Sequence, residues 1–203
     1  MIIPKLINNQ RRIGLTGGIA SGKSTITNYI RKNKRIPILD ADNLSKELIM
    51  PNTVEYKKIL GYFGNQILDK YSYQKTINRN LLKKIIFEDA KHREWIQTLL
   101  HPLIKEKMVE GCIQYKDNQI ILLVIPLLFE AKFEDICTEI WLVKCPEEVQ
   151  KKRLMKRDQI NEKEAINIIN LQLGFEEKTK FSNVILDNSD NQNQWIHKIS
   201  KLI

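Results

Sequence analysis

What this chain lacks narrows its class before any motif is read. Its 203 residues include three cysteines, Cys112, Cys137 and Cys145. They are odd in number and form no C-x-x-C pair, which argues against a disulfide framework and against a zinc site. Three core thiols in a reducing compartment are expected. No apolar run approaches the roughly 18 residues that a membrane span requires. The longest, residues 120–129, is interrupted by Pro126 and reads as a buried strand. The first six residues, Met1 to Leu6, have no basic segment, long apolar segment or small-residue cleavage site, so a cytoplasmic location is expected. With 6 prolines and 8 glycines there is no Pro/Gly/Ser linker, and no internal repeat. Acidic excess is absent too: 33 Lys+Arg oppose 24 Asp+Glu, a formal charge of +9. Such an excess suits nucleic acid, anionic lipid or a polyanionic small molecule. The lysines are interleaved with acids rather than gathered in a tail, so neither a nucleic-acid nor a membrane partner is expected.

What is present is an alternation of short apolar runs and helical patterns, the order of an α/β protein. Residues 12–15 form an apolar run followed at once by glycines. Residues 23–31 carry Ile26 and Ile30 at helical spacing, and residues 36–39 read as a second strand ending in Asp40-Ala41-Asp42. Strand, glycine turn, helix, strand is one crossover unit. From residue 43 to about 115 the pattern stays helical, with one helix predicted to begin at His101-Pro102, where proline suits the first position. So long an insertion exceeds what a crossover needs and predicts a separate lobe. Strands are predicted at 120–125, 139–143 and 183–186, and a closing helix at 194–202. Between them Pro146 opens one helix, and Asn161 with Glu164 predicts a capping box for another.

Chemistry becomes explicit at residues 17–24, Gly-Gly-Ile-Ala-Ser-Gly-Lys-Ser, a full match to G-x-x-x-x-G-K-[ST]. Such a loop turns its backbone N–H groups inward at the positive end of a helix, where phosphate oxygens collect several hydrogen bonds at once. Side chains at Gly17, Gly18 and Gly22 would block that approach. Lys23 supplies a charge for the β- and γ-phosphates, and the Ser24 hydroxyl is the expected protein ligand for Mg²⁺.

A phosphate-binding loop does not choose the reaction. The N-K-x-D and D-x-x-G tetrads of a GTPase are missing, and the 120–125 strand ends in Pro126 rather than in the acid expected of a motor or helicase. A small kinase that hands a phosphoryl group to a metabolite remains. A nucleoside or nucleotide kinase on the same scaffold, or an ATPase that binds nucleic acid through its basic surface, are the alternatives.

Phosphoryl transfer is mainly positioning and electrostatics, and a kinase of this kind needs a carboxylate to accept the hydroxyl proton. Asp40 and Asp42 are predicted at the carboxyl end of the second strand, the edge where open parallel sheets bind ligands. An extended backbone through Ala41 would bring both together. Asp42 has a second reading, as N-cap of the helix that follows. Charge on the departing phosphates must also be held and water excluded, a task suited to a basic helical flap. Arg153 and Arg157 are four apart and share one helix face; a solvated basic stripe is the plainer reading of them.

Several separated blocks together resemble one family, the dephospho-coenzyme A kinases. They are the run from Leu15 to Thr25, Leu39-Asp-Ala-Asp42, Asn78-Arg79, His101-Pro102-Leu-Ile104 and Ile125-Pro-Leu-Leu-Phe-Glu130. Gln150 with Arg153, Arg157 and Asp158, then Gln172, and Ile185-Leu-Asp-Asn188 complete them. The resemblance runs from Ile13 to the C-terminus. It implies ATP-dependent phosphorylation of the ribose 3′-hydroxyl of dephospho-CoA, the last step of coenzyme A synthesis. The implied fold is a P-loop kinase-type three-layer α/β fold with a five-stranded parallel sheet, a helical substrate-binding insertion and a short helical lid. Its division here would be a nucleotide-binding core (1–42, 116–149 and 176–203), a helical lobe for the CoA precursor (43–115) and a lid (150–175).

By position, the resemblance implies that ATP–Mg²⁺ lies on Gly17, Gly18, Ile19, Ala20, Ser21, Gly22, Lys23, Ser24 and Thr25, with Asn188 near the adenine. Asp42 matches the general base, and Lys23, Arg153 and Arg157 neutralise charge. Asp40, Asp42, Arg79, His101 and Glu130 would contact the acceptor, and Asp40 would also reach Mg²⁺ through water. Three departures stand out. Ala20 replaces a frequent glycine, at a position expected to tolerate it. Ser182-Asn183 replaces the usual Ala-Asp, leaving any role of that acid unfilled. The first dozen residues extend beyond the family's usual start.

Overall fold

The structure is a computed structural model and describes residues 6, 9–189 and 192–203; most of the N-terminal extension lies outside the described residues. The chain divides into two compact units. One comprises residues up to Asp40 together with Val109–Ile203, the other Ala41–Met108. No helix among the described residues is long and apolar enough to cross a membrane.

The first unit is built on five parallel strands: β1 (Arg11–Gly17), β2 (Ile38–Asp40), β3 (Ile120–Val124), β4 (Glu139–Lys144) and β5 (Val184–Asp187), in the order β2-β3-β1-β4-β5. A parallel sheet covered on both faces reads as nearly continuous apolar sequence, and the Ile-Ile-Leu-Leu-Val of β3 does so. Ile13 and Leu15 of β1 and Trp141 and Val143 of β4 pack with Ile26 and Ile30 of α1 (Lys23–Asn33). Trp195 and Ile199 of the closing helix (Gln192–Leu202) join the same core, with Tyr29 meeting Trp195 edge-on at 5.3 Å. Near β2, Gly111 lies so close to Leu39 that a Cβ there would come 2.7 Å from its Cδ1. The strands follow the predicted five, with ends shifted by a residue or two.

Gln10 explains part of the N-terminal extension. It is buried, and its Nε2 donates to the carbonyls of Tyr115 (2.8 Å) and Asn118 (3.2 Å), pinning the entry to β1. Asn183, where the resemblance would place an acid, bonds across to β4. Its Oδ1 accepts from Ile140 N–H at 2.7 Å while its own N–H donates to Ile140 O. The amide oxygen thus satisfies a backbone N–H of β4. Burial pushes the Cys112 thiol up to about 11 and the Cys137 thiol up to about 12, so neither is a nucleophile at neutral pH. All three cysteines are free.

The second unit contains α2 (Ala41–Leu48), α3 (Val54–Phe63), a 3₁₀ turn (Asn65–Ile67), α4 (Arg79–Glu88) and most of α5 (Ala90–Gln114). Thr53 and Asn78 cap α3 and α4 by accepting from Tyr56 N–H (3.1 Å) and Leu81 N–H (3.0 Å). Tyr62 stacks on Trp95 at 4.0 Å. Two sequence expectations fail here. No helix begins at His101-Pro102; both residues lie inside α5. An interior proline loses a backbone hydrogen bond and costs about 3 kcal/mol. However, the buried stripe Ile96, Leu100, Ile104 and Met108 runs straight through it at a spacing of four, and packing overrides the local signal. Nor does the backbone stay extended after Asp40. Ala41 and Asp42 already belong to α2, consistent with alanine's helix propensity and an acid in the first turn. Asp42 is thus inside the helix rather than its N-cap.

Candidate nucleotide-binding site

The phosphate-binding loop joins the carboxyl end of β1 to α1, between the strand and helix that the sequence pattern requires. Gly22 ends it in a left-handed conformation (φ 99°), where a Cβ would come 1.9 Å from Asn188 Nδ2; no other residue fits. No acid occupies the first turn of α1 and no side chain caps it. The N–H groups of Ala20, Gly22 and Ser24 donate to nothing among the described residues. A row of open donors at the positive end of a helix is an anion-binding cradle. Ile19 and Ser21 depart from the expected pattern, because their N–H groups are already spent on Gln172 Oε1 (2.7 Å) and Gly18 O (3.1 Å).

Ala20 adopts φ 57°, a left-handed conformation that costs a residue with a Cβ about 1–2 kcal/mol. The position is therefore not tolerant, as expected, but one that favours glycine, for a backbone reason. Lys23 folds its ammonium back over the loop, 2.7 Å from Gly17 O and 2.9 Å from Gly18 O. Ser24 and Thr25 are exposed, and the Ser24 hydroxyl makes no hydrogen bond among the described residues.

Three side chains from two other parts of the same unit, the end of β5 and one helix, lie against the loop from outside. The Asn188 side chain, beyond β5, donates to Ser21 O (2.9 Å) and accepts from Trp195 Nε1 (3.2 Å). Arg153 lies on α6 (Glu147–Asp158). Its guanidinium reaches Ser21 O (3.5 Å), Asn188 O (3.4 Å) and Cys145 Sγ (3.3 Å). Gln150, one turn earlier, stands where a Cβ on Gly18 would meet its Oε1 at 2.3 Å. Arg157 is four residues on, as predicted, yet forms a two-pronged pair with Asp158 at 2.7 and 2.9 Å. Pro146 is the N-cap of α6 rather than its first residue. The predicted capping box is present on α7 (Glu162–Asn170). Lys151 joins α6 to α7 by pairing with Glu162 at 2.6 Å, and that hydrogen bond holds the Glu162 carboxyl below its usual range.

Asp40 ends β2 on the same sheet edge as Gly17 ends β1. Glu130, after β3, is committed elsewhere. Its Oε1 accepts from Leu173 N–H (3.0 Å) and lies 2.9 Å from the ammonium of Lys178, itself fully buried on α8 (Phe175–Thr179). The ammonium sits off the line of a good hydrogen bond, and Glu130 Oε2 is buried without a partner. In the second unit, Asp42 is exposed on α2, Arg79 is exposed at the start of α4 with no partner among the described residues, and His101 is half-buried in α5. That unit has a cavity of about 910 Å³ beside Tyr56, Lys70 and Lys75, which neither Arg79 nor His101 lines. Among the described residues no three His, Cys, Asp or Glu side chains gather as a metal cluster.

Motif reasoning alone did not single out Gln172 or Lys178. Gln172 meets the loop across 153 residues of chain, and only its place in the family resemblance marked it at all.

A phosphate cradle between the first strand and first helix of a five-stranded parallel sheet defines a P-loop nucleotide-binding protein. Residues 11–194 match the family described as "Dephospho-CoA kinase". The chain belongs to that family. It is 72% identical over its whole length to the dephospho-CoA kinase of Prochlorococcus marinus strain MIT 9312, covering 99% of that protein. It is 41% identical to that of Synechocystis sp. strain PCC 6803, over 89% of this chain and 88% of that one. The solved dephospho-CoA kinase of Campylobacter jejuni superposes with a TM-score of 0.66 at 26% identity, over 94% of this chain and 96% of its own. A Thermus thermophilus crystal structure shares the fold at a TM-score of 0.76 and 24% identity, over 96% and 97% of the two chains.

Proposed function

We propose that this enzyme transfers the γ-phosphoryl group of ATP to the ribose 3′-hydroxyl of dephospho-CoA, yielding coenzyme A and ADP. The observation that carries the reading is the loop after β1, whose open N–H groups at Ala20, Gly22 and Ser24 form an anion cradle with the Lys23 ammonium at its mouth. Membership of the dephospho-CoA kinase family supplies the acceptor. Lys23 and Arg153 neutralise charge as the bond to the leaving ADP breaks, and Arg157 joins them once freed from Asp158. Asp42 takes the proton of the attacking hydroxyl. Arg79 and His101, in a helical lobe at 43–115, serve the acceptor side together with Asp40, and residues 150–175 act as the lid; Glu130, taken up by Leu173 and Lys178, is left out of that set. Asn188 lies towards the adenine, its side chain bracing the loop beneath.

The exposed, unbonded Ser24 hydroxyl beside open N–H groups fits Mg²⁺, a hard cation that takes few protein ligands and completes its shell with phosphate and water. Ser24, with Asp40 through water, would hold the ion, which would offset phosphate charge. Three free thiols suit a cytoplasmic location.

The test is incubation with ATP, Mg²⁺ and dephospho-CoA, read by mass for a product one phosphate heavier at the 3′ position. Absence of that product, with a nucleoside phosphorylated instead, would overturn the assignment. Asp42→Asn is expected to lower kcat by roughly 10²–10⁴-fold, the range of a positioned base, with ATP affinity nearly intact. Wild-type turnover would remove Asp42 from the role.

A further inference from the structure

The Ile19 N–H is the loop donor held by a side chain from a distant part of the chain. Gln172 Oε1 accepts from it at 2.7 Å, and the Gln172 Nε2 makes no hydrogen bond among the described residues. The orientation of the carboxamide follows from chemistry, because an N–H can be met only by the oxygen end.

The location is specific. Lys23, whose ammonium serves the β- and γ-phosphates in loops of this type, rests on the carbonyls of Gly17 and Gly18. Those are the residues immediately before Ile19. Gln172 therefore meets the loop next to the residues on which the Lys23 ammonium rests, with an amide NH₂ to spare. Its backbone is not left to the solvent. The next residue, Leu173, donates its N–H to Glu130, and Glu130 is tethered to the fully buried Lys178.

We propose that Gln172 is a further catalytic residue, its Oε1 holding the loop at Ile19 and its Nε2 donating to the terminal phosphoryl group of ATP. Glu130 and Lys178 are positioning residues that hold the segment bearing it. The proposal rests on the phosphoryl-transfer reading above. A fixed amide donor aimed at transferring oxygens stabilises charge where it develops, and removing one such donor typically costs 10²–10³-fold in turnover.

Two variants test it. Gln172→Glu keeps an oxygen for Ile19 and replaces the NH₂ with a second carboxylate oxygen; Gln172→Ala removes both contacts. Each is first checked for a wild-type melting curve, and ATP and ADP affinities are then measured by displacement of a fluorescent ADP analogue. Both variants are expected to lose about 10-fold or more in ATP affinity, the scale of a hydrogen bond to a charged group, with ADP affinity within twofold. Turnover with dephospho-CoA is expected to fall about 10²-fold. An unchanged ratio of ATP to ADP affinity in both folded variants would overturn the proposal. The nucleotide measurement needs no acceptor. A wild-type enzyme that ignores dephospho-CoA but whose variants lose ATP selectively would refute the acceptor assignment and uphold Gln172.

Discussion

Lys178 and Glu130 make a buried ion pair whose worth is measurable by a double-mutant cycle. Lys178 is 1% exposed at its side chain and Glu130 17%, their charged atoms are 2.9 Å apart, and the second Glu130 oxygen has no hydrogen bond. Lys178→Met keeps the volume of the stem and removes the charge. It leaves a mostly buried carboxylate compensated by Leu173 N–H alone. Breaking a buried pair from one side costs about 3–5 kcal/mol. The residual exposure of Glu130 puts this variant at the lower end, about 3 kcal/mol. Glu130→Gln strands the more deeply buried ammonium and belongs at the upper end, about 4–5 kcal/mol. In Lys178→Met/Glu130→Gln no net charge is buried, and the carboxamide oxygen introduced at position 130 still accepts from Leu173 N–H. The double variant should lie within about 1–2 kcal/mol of wild type, giving a coupling of about 5–7 kcal/mol. Urea unfolding followed by far-UV circular dichroism measures each corner, and for a chain of this size Lys178→Met should melt roughly 6–12 °C lower. Additive single losses, with the double variant losing as much as the two singles together, would show that the two charges are solvated and that the reasoning is wrong.

Ala20→Gly should stabilise the protein by about 0.5–1 kcal/mol, because relief of the left-handed penalty exceeds the extra chain entropy of glycine. A lower melting temperature would count against strain at φ 57°. The raised thiol values of Cys112 and Cys137, about 11 and about 12, leave a thiolate fraction of about 10⁻³ or less at pH 8. Peptide mapping after maleimide treatment should find both labelled at least about 100-fold more slowly than a free thiol, with the rate rising as pH increases. Labelling at the free-thiol rate in the folded protein would contradict their burial.

The legible part of the molecule was the part carried by neighbours in sequence. The glycine-rich loop, the strand before it and the helix after it lie within a span of 23 residues, Arg11 to Asn33. The Asn161–Glu164 capping box is likewise local, and both were read correctly. The errors occurred where a local preference met a tertiary demand. Pro102 reads as a helix start, yet the apolar stripe of α5 passes through it. Ala41 reads as a link between two carboxylates and instead begins a helix. Ala20 reads as harmless, because a sequence does not display φ.

The bracing of the phosphate loop belongs wholly to the fold. Asn188 meets Ser21 across 167 residues, Arg153 meets it across 132, and Gln172 meets Ile19 across 153. Composition, periodicity and motif spacing determined that there is a phosphate cradle on a parallel α/β sheet, since backbone geometry and short-range burial depend on adjacent residues. Which side chains hold that cradle open, and which donor stands free at its mouth, was decided when strands distant in sequence paired and brought those atoms within hydrogen-bond range.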